Sequence, residues 1–146
     1  MFTKILVGTD GSETAAAAVS LAADLAKHHN AVLHIVNAYQ VPAGGVAVVS
    51  AGAMAVADSA VRTEVLRTAS DHILGDAEHA THWANVKRHS VAGQPADVII
   101  SVAEQVGADL IVVGSKGMRG ARRVIGSIPN SVAHRSPCHV LIAKTT

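Results

Sequence analysis

The sequence predicts an α/β protein, a parallel β-sheet covered by helices on both faces. Three observations lead there. Short Val/Ile/Leu runs alternate along the chain with longer stretches of helical period. The runs lack a polar alternation, which suits strands buried on both faces. Of 146 residues, 49% are apolar but only 2% aromatic, so the core is built from Ala, Val, Ile and Leu. That composition suits helices packed on a sheet.

The elements follow in order. Residues 4–9 read as a buried strand through Ile5, Leu6 and Val7. Asp10-Gly11-Ser12-Glu13 carries a capping-box spacing and opens a helix over 13–29, whose stripe is Val19, Ala22, Ala23 and Ala26. Asn30 stops it, and residues 31–39 form the second strand. Residues 40–54 are Ala, Val and Gly with one proline, a long loop. The second helix is expected over 54–78, with Val61, Val65, Leu66 and Ala69 on its apolar face. Residues 85–91 are a more polar third strand, expected at an edge. Gly93-Gln94-Pro95 opens a third helix with proline in its first turn, and Gly107 ends it. Its stripe is Ile99, Val102, Ala103 and Val106. Residues 109–113 form the fourth strand, 127–134 the fourth helix and 139–143 the fifth strand.

The balance of charges bounds the function. The formal net charge is +1, so there is no general basic field for nucleic acid. One cysteine, Cys138, excludes an intrachain disulfide and points to a reducing compartment. Met1-Phe2-Thr3-Lys4 runs straight into a strand with no signal-peptide core, so a cytoplasmic protein is expected. Residues 41–57 are uncharged, but Pro42, Gly44, Gly45 and Gly52 interrupt them, which argues against a membrane span. We find no internal repeat and no linker, and expect one domain over 1–146.

The chemistry concentrates after the fourth strand, in the stretch from Gly114 through Gly117, Gly120 and Gly126 to Ser127. Strand, glycine-rich loop and helix start bind phosphate well: glycines admit a close backbone approach, and a helix N-terminus presents unpaired N–H groups and a positive dipole end. Lys116, Arg119, Arg122 and Arg123 add four of the chain's twelve Lys/Arg residues. A second suggestive strand end is Thr9-Asp10. In parallel sheets, ligands sit beyond the carboxyl ends of strands where the winding reverses.

Taken together, Ile5-Leu-Val-Gly-Thr-Asp10-Gly-Ser-Glu13, Val32-Leu-His-Ile-Val36, Gly93-Gln-Pro95, Ala108-Asp-Leu-Ile-Val-Val-Gly114-Ser-Lys-Gly117, Gly126-Ser-Ile-Pro129 and Pro137-Cys-His-Val-Leu-Ile142 resemble the universal stress protein family. The resemblance spans essentially the whole chain, with residues 40–80 matching in layout only. It implies a three-layer domain with a five-stranded parallel sheet in the order 3-2-1-4-5, and a homodimer paired through the last strand. It also implies an adenine nucleotide, ATP with Mg²⁺ first, and a stress-response sensor or regulator with a downstream protein partner. Gly114, Gly117 and Gly126-Ser127 match the family's Gly-x2-Gly-x9-Gly-Ser/Thr motif, except that eight residues instead of nine separate Gly117 from Gly126. By the resemblance, Asp10 lies near ribose and phosphates, directly or through the metal, with Thr9 beside it. Ile35 and Val113 meet adenine through their backbones, and Gly114, Gly117, Gly126 and Ser127 hold ribose and phosphates. Ser115 and Ile128 complete the set, and Lys116 or Arg123 neutralises phosphate charge.

Other readings stand beside these. Asp10 serves as the N-cap of the first helix with Glu13 as its box partner, or as a ligand contact, since one oxygen can do each. Ser127 is a cap, a ligand residue or both. Cyclic AMP in the same pocket, slow ATP hydrolysis and a nucleotide-independent interaction module are the functional alternatives. His72, Asp76, His79 and His82 fall at near-helical spacing with His89 further on; we read them as a solvated helix face over a metal site. Gly-x-Ser-x-Gly, the P-loop ending in Gly-Lys-Ser/Thr and Gly-x-Gly-x-x-Gly are all absent. Cys138, between Pro137 and an apolar run, reads as a small hydrophobe.

Overall fold

The computed structural model describes residues 1–41, 52–115 and 127–145, with side chains of the second span from residue 59 onward. Nine elements alternate: β1 (Lys4–Gly8), α1 (Glu13–His29), β2 (Val32–Tyr39), α2 (Gly52–Thr81), β3 (Val86–Ala92), α3 (Pro95–Val106), β4 (Leu110–Gly114), α4 (Ile128–Arg135) and β5 (His139–Ala143). The sheet order is β3-β2-β1-β4-β5, and every pairing is parallel. This is the order the resemblance implied. The winding reverses between β1 and β4, which lie side by side with Ile5 opposite Leu110 and Val7 opposite Val112.

Each strand of the sheet's centre buries both faces, so two cores form. Ile5, Val7, Leu33, Ile35, Leu110 and Val112 pack under α1 and α2, against Val19, Ala22, Ala26 and Leu74. Leu6, Val36, Ile111 and Val113 pack on the other face, against Ile99, Val102 and Ala103 of α3 and Val132 of α4. The alanine stripe of α1 lets that helix lie close to the sheet. Asn30 ends it in the left-handed conformation (φ 54°), its N–H returning to the carbonyls of Ala26 and Lys27. Gly107 does the same for α3 at φ 66°.

Two expectations are corrected. The stripe assigned to α2 does not face the sheet: Val61 and Val65 are 63% and 61% exposed, Ala69 is exposed and Leu66 is half-buried. The inward face begins a turn later, with Ser70, Leu74 and Thr81 buried. A 30-residue helix is longer than any strand of the sheet it covers, and its described stretch over 59–69 is largely exposed, where an apolar face gains little. The helix also runs past 78, to Thr81.

Asp10 is not the N-cap of α1. Ser12 is, with extended backbone and its Oγ accepting from the Ala15 N–H at 3.2 Å. Asp10 Oδ1 accepts instead from the Ser12 N–H at 2.9 Å, and Thr9 Oγ1 accepts from the Gly11 N–H at 3.2 Å. These two short bonds, with Gly11 at φ +79°, turn the chain from β1 into α1.

A polar pair on the sheet face of the second core, toward the β3 edge, was not foreseen. The rings of His34 on β2 and His89 on β3 stack at 5.2 Å between centroids, with Nδ1 of His34 2.9 Å from Nε2 of His89. One nitrogen donates and the other accepts. His34 is buried, and burial first, then the charges of His89, Lys87 and Lys4, lower its pKa from 6.5 to about 4. His72, Asp76, His79 and His82 lie exposed on or just after α2. His89, opposite Val36 in the register, faces the other side of the sheet.

Candidate functional site

A crevice opens at the carboxyl ends of β1 and β4, where the winding reverses. Gly8, Thr9 and Asp10 form one wall, Val113 and Gly114 the other, and Ile128 and Pro129 of α4 close one end. Ser12 at the start of α1, Thr14 and Ala15 within it, and Val36, Ala38, Pro95, Ile99 and Thr145 complete the lining. The walls are apolar toward β2 and α3, and polar toward the starts of α1 and α4. A flat apolar body with a polar or charged tail fits that division.

The Thr9-Asp10 wall is held from below. Asn37, only 5% exposed, donates from Nδ2 to the Thr9 carbonyl at 2.7 Å, and the Thr9 N–H donates to the Val36 carbonyl at 2.9 Å. Asp10 is the carboxylate in the lining and stands exposed, which suits a residue meeting a ligand with its metal. Gly8 lies close under Ile99: a β-carbon there would stand 2.9 Å from Ile99 Cδ1, and the end of that side chain would have to shift. At the far end Ser127 caps α4, its Oγ accepting from the Asn130 N–H at 3.4 Å. The cap uses a lone pair and leaves the hydroxyl proton for another acceptor.

Of the residues singled out in the sequence, Thr9, Asp10, Val113, Gly114 and Ile128 line the crevice. Ser115 and Ser127 adjoin it. Ile35, whose implied contact is through its backbone, is not itself in the lining: its side chain is fully buried under α1 and α2, and Val36 and Ala38, on the opposite face of β2, line the crevice. A strand buried on both faces carries no polar alternation, so its phase could not be read from composition. Lys116, Gly117, Arg119, Arg122, Arg123 and Gly126 lie outside the described residues. Thr145, Ile99 and Asn37 were missed. A lone Asn inside an apolar run was the available signal for the last, because a buried amide needs a partner.

Cys138 is half-buried. Burial pushes its thiol up, and the sulfur meets the Ser136 hydroxyl and the His139 carbonyl. It stands away from the crevice lining. Among the described residues, no group of three or more His, Cys, Asp or Glu is placed to hold a metal ion. No described helix is long and apolar enough to cross a membrane.

The family model described as the universal stress protein family matches residues 1–144. The chain belongs to the universal stress protein family. This universal stress protein is 34% identical to YxiE of Bacillus subtilis over 154 residues, covering 99% of this chain and 100% of that one. It is 32% identical to Rv1636 of Mycobacterium tuberculosis over 155 residues, covering 97% and 96%. Among solved structures, it is similar to a universal stress protein in complex with cyclic AMP, at a TM-score of 0.76 and 32% identity over 99% of both chains. Universal stress protein UspA from Lactobacillus plantarum aligns with a TM-score of 0.70 at 26% identity, over 97% of each chain.

Proposed function

We propose that this universal stress protein binds an adenine nucleotide in the crevice between β1 and β4, and acts as a sensor or regulator through that occupancy. The observation that carries this is the meeting of Thr9-Asp10 and Val113-Gly114-Ser115 at adjacent strand ends, beside the Ser127-capped start of α4. Val36, Ala38 and Ile99 offer an apolar slot for the base. Asp10, the two capping serines and the α4 N-terminus offer polar partners for ribose and phosphate. The similar protein solved with cyclic AMP supports a purine nucleotide as the ligand class.

ATP with Mg²⁺ is the first ligand in this reading. One carboxylate on the crevice wall suits a Mg²⁺ ion that arrives with the phosphates and keeps most of its water. Lys116 and Arg123 would neutralise the phosphates. Cyclic AMP is the alternative ligand, because one phosphate needs fewer of the loop cations. If ATP is turned over, we expect slow hydrolysis with Asp10 orienting the attacking water. We place the protein in the cytoplasm, as a homodimer paired along β5. That strand stands at the end of the sheet beside β4 and leaves Leu141 36% exposed.

Calorimetric titration of ligand-stripped protein with ATP and Mg²⁺, with cyclic AMP in parallel, tests this. Micromolar affinity, about −8 kcal/mol, is expected for one of the two. Gly114→Val should abolish it while the circular dichroism spectrum stays that of the parent. Gly114 lines the crevice and a β-carbon there already stands 3.1 Å from Thr145 Cγ2, so a valine adds bulk at the crevice wall. Absence of binding by either nucleotide at millimolar concentration overturns the reading.

A further inference from the structure

We propose that Thr145 positions the phosphate side of the crevice, acting with Ser115 as a hydroxyl pair that supplies one hydrogen-bond donor to a ligand phosphate. This rests on the nucleotide reading above and assigns a residue that neither the motif nor the glycine pattern contains.

The geometry is specific. The Ser115 N–H donates to the Ala143 carbonyl at 2.8 Å, prolonging the β4–β5 pairing by one step. Thr145 then returns over β4. Its N–H donates to Ser115 Oγ at 3.1 Å, and its own hydroxyl lies 3.3 Å from the same oxygen. Its Cγ2 stands 3.1 Å from the place where a β-carbon on Gly114 would be. Both hydroxyls are part-buried, and Thr145 is itself part of the crevice lining. Glycine at 114 leaves Thr145 room for this close approach.

Donor counting gives the consequence. Two hydroxyls carry two protons, and the bond between them uses one. Whichever oxygen donates to the other, one O–H is left over. Ser115 Oγ already accepts from the Thr145 N–H, and among the described residues neither hydroxyl has a further side-chain partner; the lining shared with them includes the apolar Ile128 and Pro129. The spare proton, part-buried at the crevice edge, is available to an acceptor brought by a ligand. A phosphate oxygen is the strongest such acceptor, and the N-terminus of α4 beside it favours negative charge.

The test compares ATP with adenosine, by calorimetry and ligand-observed NMR, on the full chain and on Thr145→Val and Thr145→Ser. Thr145→Val keeps the shape and removes the hydroxyl. It should weaken ATP by about tenfold, the scale of one hydrogen bond to a charged group, and leave adenosine within about twofold. Thr145→Ser should restore ATP to within about twofold of the parent, because the hydroxyl returns. Unchanged ATP affinity in Thr145→Val overturns the proposal, and so does an equal loss for ATP and adenosine, which would mark a purely shape-filling residue. Failure of Thr145→Ser to rescue does the same. If the parent protein binds neither ATP nor adenosine, and cyclic AMP titrated alongside them also fails, the nucleotide reading itself falls, an outcome distinct from any of these; binding of cyclic AMP alone moves the same Thr145 comparison to that phosphate.

Discussion

The His34–His89 pair makes the stability of this protein depend on pH in a calculable way. His34 is 4% exposed, stacked on His89 and flanked by Lys87 and Lys4. Every one of these opposes a positive charge on its ring. Its pKa is about 4 in the folded protein, against 6.5 for an unburied histidine. The unfolded chain therefore binds a proton that the folded one refuses, and stability must fall as pH falls. The loss starts as pH drops through 6.5 and is complete below about 4. Between about pH 7.5 and about pH 5 the linkage integral gives about 2 kcal/mol, at roughly 1.4 kcal/mol for each pH step over which the two states differ by one proton. Depressed carboxylates such as Asp109, held down by its bonds from Thr3 and Lys4, contribute only at lower pH, so the window isolates histidine. Urea unfolding of the parent and of His34→Leu, read across that window, measures the effect. The parent should lose about 2 kcal/mol more than the variant on acidification. Parallel slopes for the two proteins, or a parent whose stability rises on acidification, would refute the reasoning.

Two further outcomes follow from the packing. Asn37→Ala leaves the Thr9 carbonyl without its 2.7 Å donor in a buried setting. It should cost about 1–3 kcal/mol in denaturant unfolding and weaken nucleotide binding through the Thr9-Asp10 wall. Val61→Lys and Val65→Lys, by contrast, fall on the exposed stretch of α2. They should each shift stability by less than about 0.5 kcal/mol in the same assay, whereas a core position would lose several times that.

How much was legible depended on whether a signal was local. The bounds of α1 and α3 were readable to the residue, because Asn30 and Gly107 are left-handed caps whose chemistry does not depend on what packs nearby. The cap of α1 was misplaced by two residues because Asp10 and Ser12 are equally good capping types. The choice fell to the Gly11 turn, which commits Asp10 to the Ser12 N–H. The α2 stripe failed for a different reason. Its Val61 and Val65 have helical spacing, but spacing says nothing about where the sheet beneath ends.

For this protein, then, the sequence alone determined the order and type of elements, the parallel sheet, and the two strand ends where polar chemistry gathers. These are properties of residue type, period and glycine placement, each written within a few residues. Strand order entered through the family resemblance. Only the tertiary structure decided which face of β2 meets the crevice, that of Val36 and Ala38. It alone brought Thr145 across 30 residues onto Ser115, and His34 across 55 onto His89. Those contacts depend on register and on the path of the chain after β5. Long-range pairing of that kind leaves no mark in a window of neighbouring residues, because the partners meet only once the sheet has formed.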